Sequence, residues 1–165
     1  MSEPAPRPTS ASPAGTTSDG RSRARFLLWA TAAVIAYGLV LLIFFEPDVE
    51  TLDAAELAES DDAVPFLVAD LFFPVLYGIV LPLTMVLFSR ARWVMVAAAL
   101  LLLAGVLDWA ENVLLLTATD TPSESTVDAG RVASWVNLVL FAAGALPGLV
   151  LVARAIRTVF RGSEA

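Results

Sequence analysis

Four apolar segments, each at least 20 residues long, restrict what this chain can fold into. They are residues 26–45, 66–88, 93–117 and 131–153. A helix needs about 20 apolar residues to cross the hydrocarbon layer of a bilayer. The chain is also 58% hydrophobic, whereas a typical soluble domain is about 45–50% apolar. The sequence therefore predicts an all-α integral membrane protein with one domain, a four-helix transmembrane bundle.

The segments outside these runs are assigned to two tails. Residues 1–25 are rich in Pro, Ser, Thr, Ala and Gly, which predicts a disordered tail, and residues 156–165 form the second tail. The first apolar run is longer than the roughly 7–15 apolar residues of a cleaved signal peptide. Glu46-Pro47-Asp48 follows this run in place of a small-residue cleavage site. We therefore expect the first run to be an uncleaved span.

Charge is divided sharply between the two ends of the predicted bundle. Nine of the ten arginines lie in residues 1–25, in residues 89–92 or beyond residue 153, and the alternation of four spans places these segments on one side. An excess of positive charge marks the cytoplasmic side, so we expect a cell-membrane protein with cytoplasmic N and C termini. Residues 46–64 contain eight acidic residues and no basic one. They are expected outside, with a short interfacial helix within residues 51–59.

The residue types that the chain lacks exclude several kinds of chemistry. It has no Cys and no His, which removes thiol catalysis, disulfides, iron–sulfur clusters and most zinc and haem sites. All ten basic residues are Arg, so no lysine can form a Schiff base. We expect no cofactor, no bound metal and no nucleic-acid partner. The partner that the composition does predict is the lipid bilayer.

Polar residues interrupt the third apolar run at a position that is costly for a membrane span. Asp108, Glu111 and Asn112 are spaced at i, i+3 and i+4, so they share one face of a helix. A charged side chain near the centre of a span costs roughly 2.5–3.5 kcal/mol on insertion scales. Lipid cannot solvate such a face, and we expect it to point into the bundle.

The neighbouring spans carry polar residues at a similar depth. Asp70 and Tyr77 share a face of the second span, and Ser134 and Asn137 share a face of the fourth. Apart from Tyr77, which lies nearer the midplane, the polar positions lie roughly 5–14 Å beneath the outer surface at a rise of about 1.5 Å per residue. The sequence predicts one pocket, whose candidate ligand-binding residues are Asp70, Tyr77, Asp108, Glu111, Asn112, Ser134 and Asn137.

Three interpretations of this pocket are open from the sequence. A hydrogen-bonded network could hold the helices together. A ligand or substrate pocket could use Asp108 and Glu111, or either with Asp70, as an acid–base pair, because crowding and burial favour a retained proton. Oxygen ligands also suit a proton or a hard cation. Arg131 lies where it could act as a counter-ion, whereas Trp109 is expected to serve packing.

The polar pattern as a whole resembles that of a group of small bacterial four-span membrane proteins. The resemblance covers about residues 26–155 and rests on Asp70-x-x-Phe73-Pro74-x-x-Tyr77, then Asp108-x-x-Glu111-Asn112, then a polar position in the fourth span. It implies a shared fold and no particular activity. A weaker similarity is to the EXPERA group of sterol isomerases and related ligand-binding proteins, small bundles with acidic residues, Asn and Trp in the cavity. Its isomerases also use a histidine, which this chain lacks, so this similarity implies no catalytic residue here.

Three functions are consistent with these features. The first is a pocket, binding or enzymatic, for a lipid or for another small apolar or cationic ligand. The second is a proton-coupled small-molecule transporter acting as a homodimer, although no polar path continues through the inner half of the spans. The third is a membrane scaffold that uses the polar network for packing. Whether the protein is an enzyme is left open by the residues themselves.

The predicted topology can be tested by thiol labelling, since the chain has no native Cys. Single cysteines at Ser60 and at Ser123 should react with a membrane-impermeant thiol reagent in intact cells. A cysteine at Ser89, in the arginine-containing loop, should react only after the cells are lysed. Labelling of intact cells at Ser89 alone would reverse the assignment.

Overall fold

The computed structural model describes residues 16–44 and 52–161, and within these ranges the chain is helical without strands. The helices are α1 (Thr16–Phe44), α2 (Ala54–Glu59), α3 (Ala63–Asp70), α4 (Phe73–Val75), α5 (Leu81–Phe88), α6 (Arg92–Asp120) and α7 (Glu124–Arg161), and a π-helical turn covers Leu76–Val80. The second span therefore consists of α3, α4, the π-helical turn and α5.

Four stretches of the described chain are long and apolar enough to cross a membrane. They are Asp19–Phe44, Ala63–Phe88, Arg92–Asp120 and Glu124–Phe160. The helices α6 and α7 pack along their length, and α1 packs against α7 and α5. The predicted fold class, an all-α four-helix transmembrane bundle, is confirmed.

Several helices extend beyond the boundaries that the sequence predicted. α1 begins at Thr16, so the assignment of residues 16–25 to a disordered tail is wrong, while residues 1–15 lie outside the described residues. α7 includes residues 156–161, which had been assigned to a tail. Only residues 121–123 separate α6 from α7. The physical reason is that a span can continue into the interface as an exposed helix, which an apolar pattern alone does not mark.

Two prolines break the regular helix of the second span. Proline has no backbone N–H, so Pro74 cannot bond the carbonyl of Asp70, and Pro82 cannot bond that of Gly78. The chain responds with a turn at residues 71–72 and with a π-helical turn, in which the N–H of Leu81 bonds the carbonyl of Leu76. The second span is thus interrupted next to both prolines, and its π-helical turn contains Tyr77.

Glycine lets the second span approach α6 very closely. A Cβ atom on Gly78 would lie 2.9 Å from the Cα of Gly105, and one on Gly105 would lie 2.8 Å from the Cα of Gly78. Real Cβ atoms do not approach other atoms so closely, so only glycine fits both positions. Gly144 has a similar place on α7, because a Cβ there would lie 2.9 Å from the carbonyl oxygen of Ala97. The small residues of α7 therefore serve packing inside the bundle.

The bundle has two ends of opposite charge. The arginine-rich end comprises the start of α1, the loop at residues 89–91 and the last turns of α7. The acidic end comprises α2, the start of α3 and the connection between α6 and α7. Each end has its own apolar core, represented by Leu27, Met85, Leu101 and Leu151 at the arginine-rich end and by Leu57, Leu67, Leu115 and Val127 at the acidic end.

The short helix α2 is fixed to the acidic end by its first turn. The side chain of Asp53 accepts hydrogen bonds from the N–H groups of Ala55 and Glu56. The N–H of Asp53 in turn donates to the side-chain carboxylate of Glu56. The N–H of Ala54 donates to Glu124 Oε1 at 3.2 Å, and Leu57 is fully buried. A short helix was expected within residues 51–59, and these contacts explain where it begins.

The glycine contact makes a prediction about stability. Replacing Gly105 with Ala should lower the free energy of unfolding by about 1–3 kcal/mol, the usual cost of inserting a methyl group where there is no room. Gly148→Ala is the matched control, since its Cβ would meet only Met85, at an ordinary 3.8 Å. Reversible unfolding in mixed micelles measures both variants. Equal stability of the two would contradict the close backbone contact.

Candidate functional site

A cleft of about 530 Å³ opens between α1 and α7 in the half of the bundle nearer the acidic end. All four spans contribute to its lining. Its polar floor consists of Asp70, Tyr77, Asp108, Ser134 and Asn137. Its walls are mainly apolar and include Leu41, Leu42, Phe73, Leu138 and Phe141. The cleft is thus polar at its base and apolar at its sides.

Tyr77 connects three spans at the base of this cleft. Its side chain is 1% exposed, and its hydroxyl oxygen lies 2.7 Å from Asp108 Oδ2 on α6. The same hydroxyl lies 3.1 Å from Asn137 Oδ1 on α7. The π-helical turn and the contact between Gly78 and Gly105 bring Tyr77 close enough to reach α6.

A phenol has one proton, so Tyr77 can donate to only one of its two neighbours at a time. If Asp108 is ionised, Tyr77 donates to it, and the amide of Asn137 can turn its NH₂ group towards the phenol oxygen. If Asp108 is protonated, its O–H can donate to Tyr77, which then donates to the amide oxygen of Asn137. The three side chains therefore form a hydrogen-bonded chain whose direction depends on the protonation of Asp108.

A second polar contact lies about one helical turn nearer the acidic end than the contact of Tyr77 with Asp108. The side-chain amide of Asn112 donates to Asp70 Oδ2 at 3.0 Å, which joins α6 to the end of α3. Asn112 is 2% exposed. The carboxylate of Asp70, next to the break that follows α3, thus accepts a hydrogen bond from a buried side chain of α6. With this contact in place, Asp70 still lines the polar floor of the cleft together with Tyr77.

Tyr37 belongs to this region but was not predicted from the sequence. Its hydroxyl donates to the carbonyl oxygen of Ala69 at 2.7 Å, near the break that follows α3. Its ring stacks on Phe73, with ring centroids 6.3 Å apart. A signal was present, because Tyr37 precedes Gly38 as Tyr77 precedes Gly78 and the chain has only two tyrosines.

A row of aromatic rings forms one side of the cleft. Phe73 meets Tyr77 edge to face with ring centroids 5.1 Å apart, and Tyr77 meets Phe141 in the same way at 5.0 Å. Edge-to-face pairs are the favoured geometry of aromatic rings and fix the ring planes. The orientation of the Tyr77 hydroxyl is therefore set by packing as well as by hydrogen bonds.

The structure brings together five of the seven predicted pocket residues. Glu111 and Asn112 do not line the cleft, although both are buried, with 4% and 2% exposure. They lie on α6 one turn nearer the acidic end than Asp108. In the described part of the chain, every buried side-chain nitrogen and oxygen has a hydrogen-bond partner. Asn112 therefore supports the cleft from behind, through Asp70.

Two further residues that the sequence singled out have clear positions. Arg131 forms an ion pair with Asp128 at 3.3 Å and donates to the carbonyl oxygen of Leu52 at 2.8 Å. It therefore ties α7 to the segment that precedes α2. Trp109 is 55% exposed and lines a separate apolar pocket of about 330 Å³ between the second span and α6.

The floor of the cleft has a chemistry that suits some headgroups and excludes others. Two carboxylates, a phenol, a hydroxyl and an amide face the same space, and no basic side chain is found among the described residues that line it. The described carboxylates do not form a group of three or more that could hold a metal ion. The floor therefore favours a hydrogen-bond donor or an organic cation over an anion.

No family model matches this sequence, and searches of curated proteins and of solved structures found no significant similarity. The two resemblances drawn from the polar pattern therefore remain predictions.

The hydrogen-bonded chain predicts energetic coupling between helices. Tyr77→Phe and Asn137→Leu should be non-additive in unfolding free energy by about 0.5–3 kcal/mol, as expected for residues in one network. Tyr77→Phe and Thr31→Val form the control pair, since the hydroxyl of Thr31 bonds only within α1, to the carbonyl oxygen of Leu27 at 2.9 Å. The control pair should be additive. Additivity of the first pair would show that the contact of Tyr77 with Asn137 carries no energy.

Proposed function

We propose that this protein binds a small amphiphilic molecule in the cleft between α1 and α7. The observation that supports the proposal is the combination of a polar floor with apolar walls in a cavity of about 530 Å³. Cavities for small ligands usually measure about 300–1,000 Å³ and are mainly apolar with a few convergent polar groups. The apolar part of such a ligand would lie between α1 and α7, and its polar headgroup would lie at the polar floor of the cleft.

The ligand enters from the bilayer and not from water. Leu42 on α1 and Leu138 on α7 line the cleft and are 70% and 55% exposed. In a membrane these exposed side chains face lipid, so the rim of the cleft is apolar. An amphiphile concentrates in the bilayer first and reaches the cleft by lateral diffusion, which avoids moving its apolar body through water.

The headgroup is a hydrogen-bond donor, and a protonated amine fits best. Asp70 and Asp108 line the floor, and an amine could donate to both carboxylates and to the amide oxygen of Asn137. Phe73 and Phe141 line the same cleft, and aromatic faces attract cations where water is excluded. A carboxylate or phosphate headgroup would instead be repelled by the two acidic side chains.

The location of the ligand follows from the charge at the two ends. We assign the arginine-rich end, and with it both chain termini, to the cytoplasm by the positive-inside rule, and we propose the cell membrane as the location of the protein. The cleft lies nearer the acidic end and opens into the outer leaflet. The ligand is accordingly an amphiphile of that leaflet, or one taken up from outside.

Proton-coupled transport by a homodimer is the second candidate, and one observation favours it. The chain of Asp108, Tyr77 and Asn137 can reverse direction with one proton. The packing beneath Tyr77 argues against it, because the core toward the arginine-rich end is apolar and represented by Leu27, Met85 and Leu101. A purely structural scaffold would not need an open cleft beside its polar network.

One substitution should close the cleft, and the same substitution at the next residue should leave it open and serve as the control. Leu138→Trp should fill the cleft, whereas Val139→Trp adds the same ring at a residue that is 65% exposed and does not line the cleft. Dodecylamine is the probe, with dodecanol and dodecanoate as chain-matched comparisons. Binding is measured by native mass spectrometry of protein released from nanodiscs.

We expect wild type and Val139→Trp to retain dodecylamine, and Leu138→Trp to lose most of it. Dodecanoate should not be retained by any of the three proteins. Equal retention by the two Trp variants, or equal retention of the amine and the carboxylate, would contradict the proposal. A ligand-free dimer as the main species would favour the transporter instead.

A further inference from the structure

A second cavity lies at the arginine-rich end, remote from the cleft. It measures about 450 Å³ and is lined by Phe88, Ser89, Leu151, Arg154, Arg157 and Thr158. It lies between the end of the second span and the last turns of α7. Among its described lining residues two are arginines and none is acidic. Nothing in the proposed function of the cleft uses this cavity.

One of the two arginines is held in place by an aromatic ring. The guanidinium carbon of Arg154 lies 5.7 Å from the centroid of the Trp93 ring, which is a cation–π distance. Arg157 follows three residues later on the same face of α7, about 4.5 Å along the helix axis. The two guanidinium groups therefore reach the cavity from one helix face, and the position of one of them is restricted in advance.

The cavity lies at the depth of lipid headgroups. Leu151, at its base, is fully buried in the apolar core, and Arg157 lies six residues further, about 9 Å along the axis. Tryptophan is enriched at the membrane–water interface, and Trp93 marks that level here. The cavity therefore combines an apolar base, formed against the core of the bundle, with a charged mouth at the interface.

The acidic residue beside the cavity does not neutralise its two arginines. The nearest described acid at this end is Asp19, which lines an adjacent small pocket and is paired with Arg23 at 2.6 Å. The hydroxyl of Ser89 adds a further polar group to the lining. Arginine fits phosphate oxygens because its planar guanidinium donates two parallel hydrogen bonds.

We propose that this cavity binds the phosphate group of an anionic membrane lipid, with Arg154 and Arg157 as its ligands. The apolar base formed by Phe88 and Leu151 is the reason for choosing a lipid over a free phosphate. We place its acyl chains along the exposed Leu87 and Ile156, which are the chain neighbours of the lining residues Phe88 and Arg157. The site is independent of the amine-binding cleft and stands even if that cleft binds nothing.

The test compares lipids and variants on the full-length protein in a non-ionic detergent, where no charged membrane surface contributes. Phosphatidylglycerol and phosphatidylcholine with identical acyl chains are titrated, and binding is followed by native mass spectrometry. Inorganic phosphate and glycerol 3-phosphate are titrated separately. The variants are Arg154→Gln with Arg157→Gln, and, as a charge-matched control, Arg90→Gln with Arg92→Gln, two exposed arginines of the same end that do not line the cavity.

We expect wild type to prefer phosphatidylglycerol over phosphatidylcholine, and the cavity variant to bind phosphatidylglycerol at least about tenfold more weakly, since two charge-assisted contacts are lost. The control variant should stay within about twofold of wild type, because Arg90 and Arg92 are exposed like Arg154 and Arg157 but do not line the cavity. Arg157→Gln alone keeps the contact of Arg154 with Trp93 and should lose part of the affinity for phosphatidylglycerol. This single variant replaces the double variant in the test if the double variant does not fold.

Three outcomes would overturn the assignment. An equal loss in the cavity and control variants would mean diffuse attraction by the whole arginine-rich end. Equal binding of the two lipids would exclude a phosphate site selective for anionic lipids. Displacement of the lipid by millimolar inorganic phosphate would identify a site for free phosphate.

Discussion

The fold depends on one constraint, which is that polar side chains buried in a membrane must find their partners inside the protein. Tyr77, Asp108 and Asn137 meet this constraint by bonding across three spans. Their contact requires the second span to lie against α6 at a distance that only Gly78 and Gly105 permit. The glycine contact therefore sets the separation of the two spans at which the hydrogen-bonded chain forms.

The same constraint explains how the molecule is divided along its axis. Toward the arginine-rich end the core is apolar, and both α1 and α7 contribute to it, with Leu27 and Leu151 among its fully buried members. Toward the acidic end the polar layer keeps a space between α1 and α7, and the cleft occupies it. The half nearer the arginine-rich end therefore has a continuous apolar core, whereas the other half contains the cleft beside its own smaller core.

Sequence reasoning identified the four spans and the layer of Asp70, Asp108 and Asn137, because apolar length and helical spacing are local signals. It did not predict the π-helical turn around Tyr77, which depends on how Pro74 and Pro82 are accommodated by neighbouring helices. It grouped Glu111 with the pocket, since spacing defines a helix face and not the part of that face that a cleft exposes. The role of Tyr37 depends on the carbonyl of Ala69 beside a helix break in another span, and the Tyr-Gly pair in α1 does not by itself predict that contact.

The central claim is that a cationic amphiphile occupies the space between α1 and α7. Photo-crosslinking tests it most directly, with an alkylamine that carries a diazirine in its chain and with protein in nanodiscs. The account predicts adducts on Gly38, Leu41, Leu42, Leu138 and Phe141 that excess dodecylamine suppresses. Adducts spread evenly over other lipid-exposed residues, such as Leu102, Val106 and Val113 on α6, and insensitive to dodecylamine, would contradict it.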